Sequence, residues 1–223
     1  FRRVLFRSNH LEKASFVVWN RDAERELRDM GFDVELKKPF MLDGFRSGDP
    51  KFNESGSKLV VKGSGSGMPE EWEDKIFNYL DEAESRDWSM HTQRHRVING
   101  NKVPLLPIRH SRIRSFYRAL GGATERVVCY PSEMVGVMAD LNERGVRAQM
   151  ITLPPRGDHE RRNLEFAIEH GLVFGQMAFK GVNLTPGLRV VEPSELIGVI
   201  GKDKPKDTWR SGIVGTERFW QAA

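Results

Sequence analysis

Three short stretches carry the residue types that hold phosphates and sugar hydroxyls: Lys62 to Pro69 (KGSGSGMP), Pro131–Ser132–Glu133, and Arg156 to Asn163 (RGDHERRN). The first follows the apolar run Leu59–Val61. Its residues have small side chains or none, so main-chain N–H groups at Ser64, Gly65 and Ser66 can approach an anion closely. Pro69 opens a helix there, and a helix N-terminus adds roughly half a positive charge. Lys62 stands beside the loop as a phosphate partner. A surface turn ending in a solvated strand-end lysine would look the same in sequence. No Gly-Lys-Ser/Thr follows, so this is not a Walker A loop. As a dinucleotide fingerprint it is partial, because no clear acidic residue follows on a second strand about 20 residues on.

In the second stretch Ser132 suits a helix N-cap. Glu133, in the first turn, could accept both hydroxyl hydrogens of a ribose; a glutamate that only offsets the helix dipole reads identically. In the third, Asp158 is the expected N-cap. His159 and Asn163 are four apart on one helix face and can reach one ligand together. Glu160 lies beside them. Arg156, in a Pro-Gly loop after a strand, is the better phosphate candidate, whereas Arg161 and Arg162 read as a solvated face. His-Glu-x-x-Asn lacks the second histidine of the zinc pattern, so no metal is expected. Cys129 ends the apolar run Val127–Val128–Cys129 and reads as a buried, inert thiol. Neither a Ser-His-Asp nor a Cys-His arrangement is indicated.

These stretches need elements to present them. Ser15–Trp19 reads as a strand, followed by a helix capped by Asn20 or Asp22 and closed by Gly31, then a strand over Phe32–Leu36. Between Pro39 and Ser57 Gly, Ser, Asp and Pro interrupt the pattern, and a linker is placed at 48–57. Lys58–Lys62 is a strand, and a helix runs from Pro69 to about Glu84 with Trp72, Ile76, Phe77 and Leu80 on its buried face. Arg94–Ile98 and Val103–Ile108 are extended segments around an Asn99–Gly100 turn. Ser111 caps a helix through Leu120. Arg126–Tyr130 and Val146–Leu153 are strands, each followed by a helix. Pro193–Ser194–Glu195 echoes Pro131–Ser132–Glu133, but this is a common helix opening and no repeat is inferred. Strands alternating with helices over short connections give an α/β fold with a doubly wound, parallel, Rossmann-like sheet.

The chain has 223 residues, 39% of them hydrophobic, which is enough for a sizeable core. Its net charge of +4 is spread along the sequence. That suits a phosphorylated ligand or peripheral contact with an anionic membrane face, and lacks the basic stripe of a nucleic-acid binder. One cysteine excludes an internal disulfide and fits a reducing, cytoplasmic setting. No apolar run approaches the ~20 residues of a membrane span. Residues 1–8 (FRRVLFRS) lack a starting Met and read as a sequencing-adapter artefact, which implies a longer gene product.

The glycine loop, the strand–helix bearing Ser132–Glu133 and the LPPRGDHERRN segment (153–163) follow one another in the order of one family. Together they resemble the C-terminal, nucleotide-sugar-binding domain of GT-B glycosyltransferases, and most the group that includes the lipid II-forming N-acetylglucosaminyltransferases. The resemblance covers roughly 56–200. It implies a nucleotide-sugar-binding domain at 58–205, a C-terminal segment at 206–223, and at 9–47 a remnant of a second α/β domain that takes the acceptor. It implies transfer of a sugar from a nucleotide-sugar donor, UDP-linked, to the hydroxyl of a lipid-linked or small-molecule acceptor, without a metal or other cofactor. Ser64, Gly65 and Ser66 would contact the diphosphate or sugar and Glu133 the ribose. The uracil would be read near Pro107 and Ile108, and the sugar held by His159, Glu160 and Asn163. His159–Glu160 replaces the family's usual Gln or Asp-Gln pair, and Tyr130–Pro131 replaces its Gly-rich turn. The general base would come from the acceptor domain. The alternatives are a nucleotide-sugar 2-epimerase, with Glu133 and Glu160 as acid and base, and a non-catalytic nucleotide-sugar-binding subunit.

Overall fold

Val-rich tetrads buried on both sides form the centre of the molecule, as befits parallel strands covered on two faces. The computed structural model describes residues 15–18, 21–36, 56–63, 67–105, 115–132, 134–143 and 146–202. They fall in two compact units, one holding 15–36 and the other 56–202. In the smaller, β1 (Ser15–Val18) pairs in parallel with β2 (Asp33–Leu36) across α1 (Arg21–Asp29). Gly31 takes φ +85° where the helix turns back, the left-handed conformation expected of a helix-terminating glycine.

The larger unit contains β3 (Leu59–Lys62), α2 (Glu70–Glu82), β4 (Trp88–His91), β5 (Arg96–Ile98), β6 (Asn101–Lys102), β7 (Arg126–Cys129), α3 (Met134–Glu143), β8 (Gln149–Thr152), α4 (Asp158–Glu169), β9 (Val173–Met177) and β10 (Val190–Val191). A helical stretch at 115–119 precedes β7. The eight strands form one sheet in the order β10-β9-β8-β7-β3-β4-β5-β6. From β10 to β4 every neighbouring pair is parallel; β5 and β6 add an antiparallel hairpin at the edge. The fold is therefore α/β with a mostly parallel, Rossmann-like sheet. Among the described residues no helix is long and apolar enough to cross a membrane.

The chain leaves β3 toward β4 and returns on the other side at β7, so connections of one hand put helices on both faces. Leu59, Val61, Trp88, Met90, Val128, Tyr130, Ile151 and Leu153 share one face and form a single cluster with Ile76 and Leu80 of α2. The opposite face carries Val60, Val127, Cys129 and Met150, all fully buried.

Four expectations change. β4, β9 and β10 are strands that no pattern announced. The hairpin's second strand is Asn101–Lys102, and of the expected Val103–Ile108 segment residues 103–105 are not a strand while 106–108 lie outside the described residues. Asn99 (φ 49°) and Gly100 (φ 70°) are both left-handed, as a two-residue type I′ turn requires, and this sets Ile98 opposite Asn101. The strand expected over Val146–Leu153 is confined to Gln149–Thr152. Ser57, read as the end of a linker, is buried, with its hydroxyl 2.6 Å from Ser89 Oγ and 2.7 Å from Asn99 Oδ1.

Candidate functional site

In an open α/β sheet the ligand crevice lies beyond the C-terminal ends of the strands where their order reverses, here between β3 and β7. β3 delivers Lys62 and Gly63 to that edge and β7 delivers Tyr130–Pro131–Ser132. β4 brings His91 and Thr92, and β8 leads into Arg156 and the start of α4. Ser64, Gly65, Ser66, Pro107, Ile108 and Glu133 lie outside the described residues.

Lys62 is not a solvated strand end. It is 7% exposed, with its ammonium 5.3 Å from the centre of the Phe116 ring. The α4 end departs from expectation too. The N-cap is Gly157, in extended backbone with no side-chain cap, and Asp158 is the first helical residue, paired with Arg161. Asp158 does not cap because Glu160 organises the turn. Buried at 1% exposure, its carboxylate accepts from the Arg156 backbone N–H (2.7 Å) and from the Arg156 guanidinium (3.0 Å). That guanidinium also stacks on the Tyr130 ring at 3.9 Å. His159 is mostly exposed, its Nε2 4.0 Å from Glu160 Oε1, and Asn163 is half-buried one turn on. Arg156, His159, Glu160 and Asn163 are thus gathered at one helix start. The Tyr130 hydroxyl is buried without a hydrogen-bond partner, and burial raises its pKa; the Arg156 charge opposes that rise and the Glu160 charge adds to it. At the middle helix, Ser132 is half-buried, and its carbonyl accepts from the Val135 N–H.

Several side chains at this edge escaped sequence reasoning. Glu73, in the first turn of α2, is 1% exposed. Its carboxylate accepts from the Thr92 hydroxyl and from the Arg94 N–H at 3.1 Å. Thr92 also closes its own turn, with its N–H on His95 O and its hydroxyl accepting from the His95 N–H, both at 3.0 Å. This knot sets the 92–95 turn against the glycine segment. A β-carbon on Gly63 would come within 3.3 Å of Thr92, and one on Gly67 within 3.2 Å of Gln93. Glu73→Ala would remove the acceptor of the buried Thr92 hydroxyl, which keeps only its 3.2 Å contact to His95 O, and of the half-buried Arg94 N–H, so a loss of about 1–2 kcal/mol is expected, while Glu73→Gln keeps one acceptor and loses less. Chemical denaturation of the three proteins checks this; equal midpoints for Ala and parent would refute it.

No family model, curated protein or solved structure matches the chain. What the edge can do must therefore be read from its own geometry. It offers one buried cation, Lys62, together with Arg156, hydrogen-bond donors and helix N-termini at a topological switch point, a combination suited to an anion with polar appendages. The helices differ in this respect. α2 has Glu70, Glu71 and Glu73 in its first turn, and α4 has Asp158 and Glu160, whereas the first turn of α3 contains no acid. Glu133 nevertheless stands directly before Met134, so the α3 start is not free of acid either.

Proposed function

We propose that the larger unit is the donor-binding half of a GT-B type glycosyltransferase and takes a nucleotide sugar, UDP-linked, at the β3/β7 edge. The observation that carries this reading is the reversal of strand order there, with the buried Lys62 ending β3 and the N-terminus of α3 following β7. The diphosphate lies over the glycine loop, and Glu133 takes the ribose. The sugar meets His159 and Asn163 at the α4 start, while Glu160, saturated by Arg156, shapes that loop. The β1–α1–β2 unit is read as part of the acceptor-binding domain.

In the reaction an acceptor hydroxyl attacks the anomeric carbon. The new carbon–oxygen bond forms as the bond to the β-phosphate oxygen breaks, and the hydroxyl proton passes to a base on the acceptor-binding side. Negative charge grows on the departing diphosphate, where fixed main-chain N–H groups and cations stabilise it without reorganising. Epimerisation at C2 would instead need an acid/base pair beside the sugar. Glu160 serves poorly there, because both its oxygens are engaged.

Calorimetric titration of the full chain with UDP, UDP-sugars and uridine tests this. UDP and at least one UDP-sugar should give saturable heat, with uridine giving none at equal concentration. Lys62→Met should weaken UDP about tenfold, equivalent to about 1.4 kcal/mol. Absence of saturable heat with millimolar UDP and UDP-sugars would overturn the reading. Binding of UDP with no transfer once an acceptor domain is supplied would favour the non-catalytic subunit.

A further inference from the structure

The β4–β5 turn places basic residue types side by side. His91 is the register partner of Lys62 on β3 and of Arg96 on β5. Directly paired residues on adjacent strands point to the same face, and strands lie about 4.8 Å apart. Arg96, His91 and Lys62 therefore form one row across three strands at the C-terminal edge. The aromatic ring of Phe116 packs beside two of the three, T-shaped to His91 with centroids 6.2 Å apart and its centre 5.3 Å from the Lys62 ammonium.

Nothing among the described residues balances the middle of this row. Arg96 donates to Ser115 Oγ (3.2 Å) and Pro104 O (2.9 Å), both neutral acceptors. His91 is 7% exposed, and neither of its ring nitrogens has a hydrogen-bond partner. A buried imidazole with both nitrogens unmet is destabilising, and such groups mark places where something else completes the bonding. The imidazole stays neutral here, held down by burial and by the Arg96 charge, so one ring N–H remains a donor and the other nitrogen an acceptor.

We infer that the Arg96–His91–Lys62 row is an anion subsite, shaped for a phosphate or diphosphate group whose oxygens accept from the His91 N–H between the two flanking cations. It deepens the nucleotide-sugar reading, on which it rests only for the nucleoside half of the ligand; the row itself should take inorganic pyrophosphate. An anion there stands between the two flanking cations and satisfies the imidazole in one step. It also explains why the 92–95 turn is knotted to Glu73, since that turn sets Arg96 opposite His91.

The test is imidazole NMR on the full chain, with the His91 ring signals assigned by their loss in His91→Phe. Adding pyrophosphate, and separately UDP, should move those signals, and uridine should not. His91→Phe and Arg96→Met should each weaken pyrophosphate about tenfold, while Arg96→Lys, which keeps the charge, should recover most of the loss. Circular dichroism of each variant establishes that it is folded; if a variant does not fold, the signal shifts in the parent protein decide. If UDP binds saturably while the His91 signals stay fixed, the row is not the subsite and the nucleotide reading survives. Pyrophosphate moving His91 with no binding of UDP upholds the row and sinks the nucleotide reading. Silence with both ligands sinks both.

Discussion

Replacing Trp88 by alanine is expected to remove about 3–5 kcal/mol from the larger unit. Against the 5–15 kcal/mol typical of a domain, that leaves it marginal at room temperature. The indole is fully buried in β4, opposite Leu59 and within the cluster of Ile76 and Leu80. Its backbone carbonyl also accepts from the Gly100 N–H at 2.9 Å, so the strand anchors the hairpin turn. The indole N–H has no acceptor, and the contribution is therefore packing rather than hydrogen bonding. Trp88→Phe should accordingly keep most of the stability that alanine loses. Urea unfolding followed by far-ultraviolet circular dichroism measures both; an alanine midpoint equal to the parent's would show that β4 is not the core strand described here.

The weight placed on β4 is instructive, because Trp-Ser-Met-His carried no strand signal. All four residues are buried, so neither the alternation nor the β-branched run that betrays a half-exposed strand is present. β9 hid for a related reason: it contains Gly175, a residue strands ordinarily avoid. That glycine is required where it stands, since a β-carbon there would come within 2.6 Å of Arg189 O on the adjacent segment. By contrast β3, β7 and β8 were legible because Val and Ile runs lead straight into Pro- or Gly-marked helix starts. α2 was legible because its apolar residues keep helical spacing.

The candidate site divides along the same line. Sequence could gather Arg156, His159, Glu160 and Asn163, since a helix start brings neighbours in the chain together. It could not say that Glu160 is buried and saturated by Arg156, because burial is a property of packing. Nor could it find Glu73 beneath Thr92, 19 residues away. The row of Lys62, His91 and Arg96 depends on strand register, which only pairing reveals. One clue was present: a four-residue turn between His91 and Arg96 folds the two onto each other if both flanks are strands.

That row also predicts acid lability. The folded-state pKa of His91 is lowered from 6.5 to about 4, first by burial and then by the Arg96 charge. In the unfolded chain the ring takes up a proton near pH 6.5, while the folded protein refuses it until about pH 4. Above pH 7 both states leave it neutral, and His91 gives stability no pH dependence. As the pH falls through 6.5 the unfolded state binds the extra proton, so stability declines, and the decline stops near pH 4, where both states are protonated. The accumulated loss is roughly 3 kcal/mol, on the scale of 1.36 kcal/mol per pKa unit. Carboxylates titrate in the lower part of this window, so the informative quantity is the difference between parent and His91→Gln. Unfolding free energies from pH 7.5 to 4 should fall more steeply for the parent, by up to one proton, with the curves separating first between pH 6.5 and 5.5. Parallel curves would mean the imidazole titrates normally and is not held between two cations. Pyrophosphate bound at the row should raise the folded-state pKa of His91 and shrink the parent's acid loss, linking the stability measurement to the ligand one.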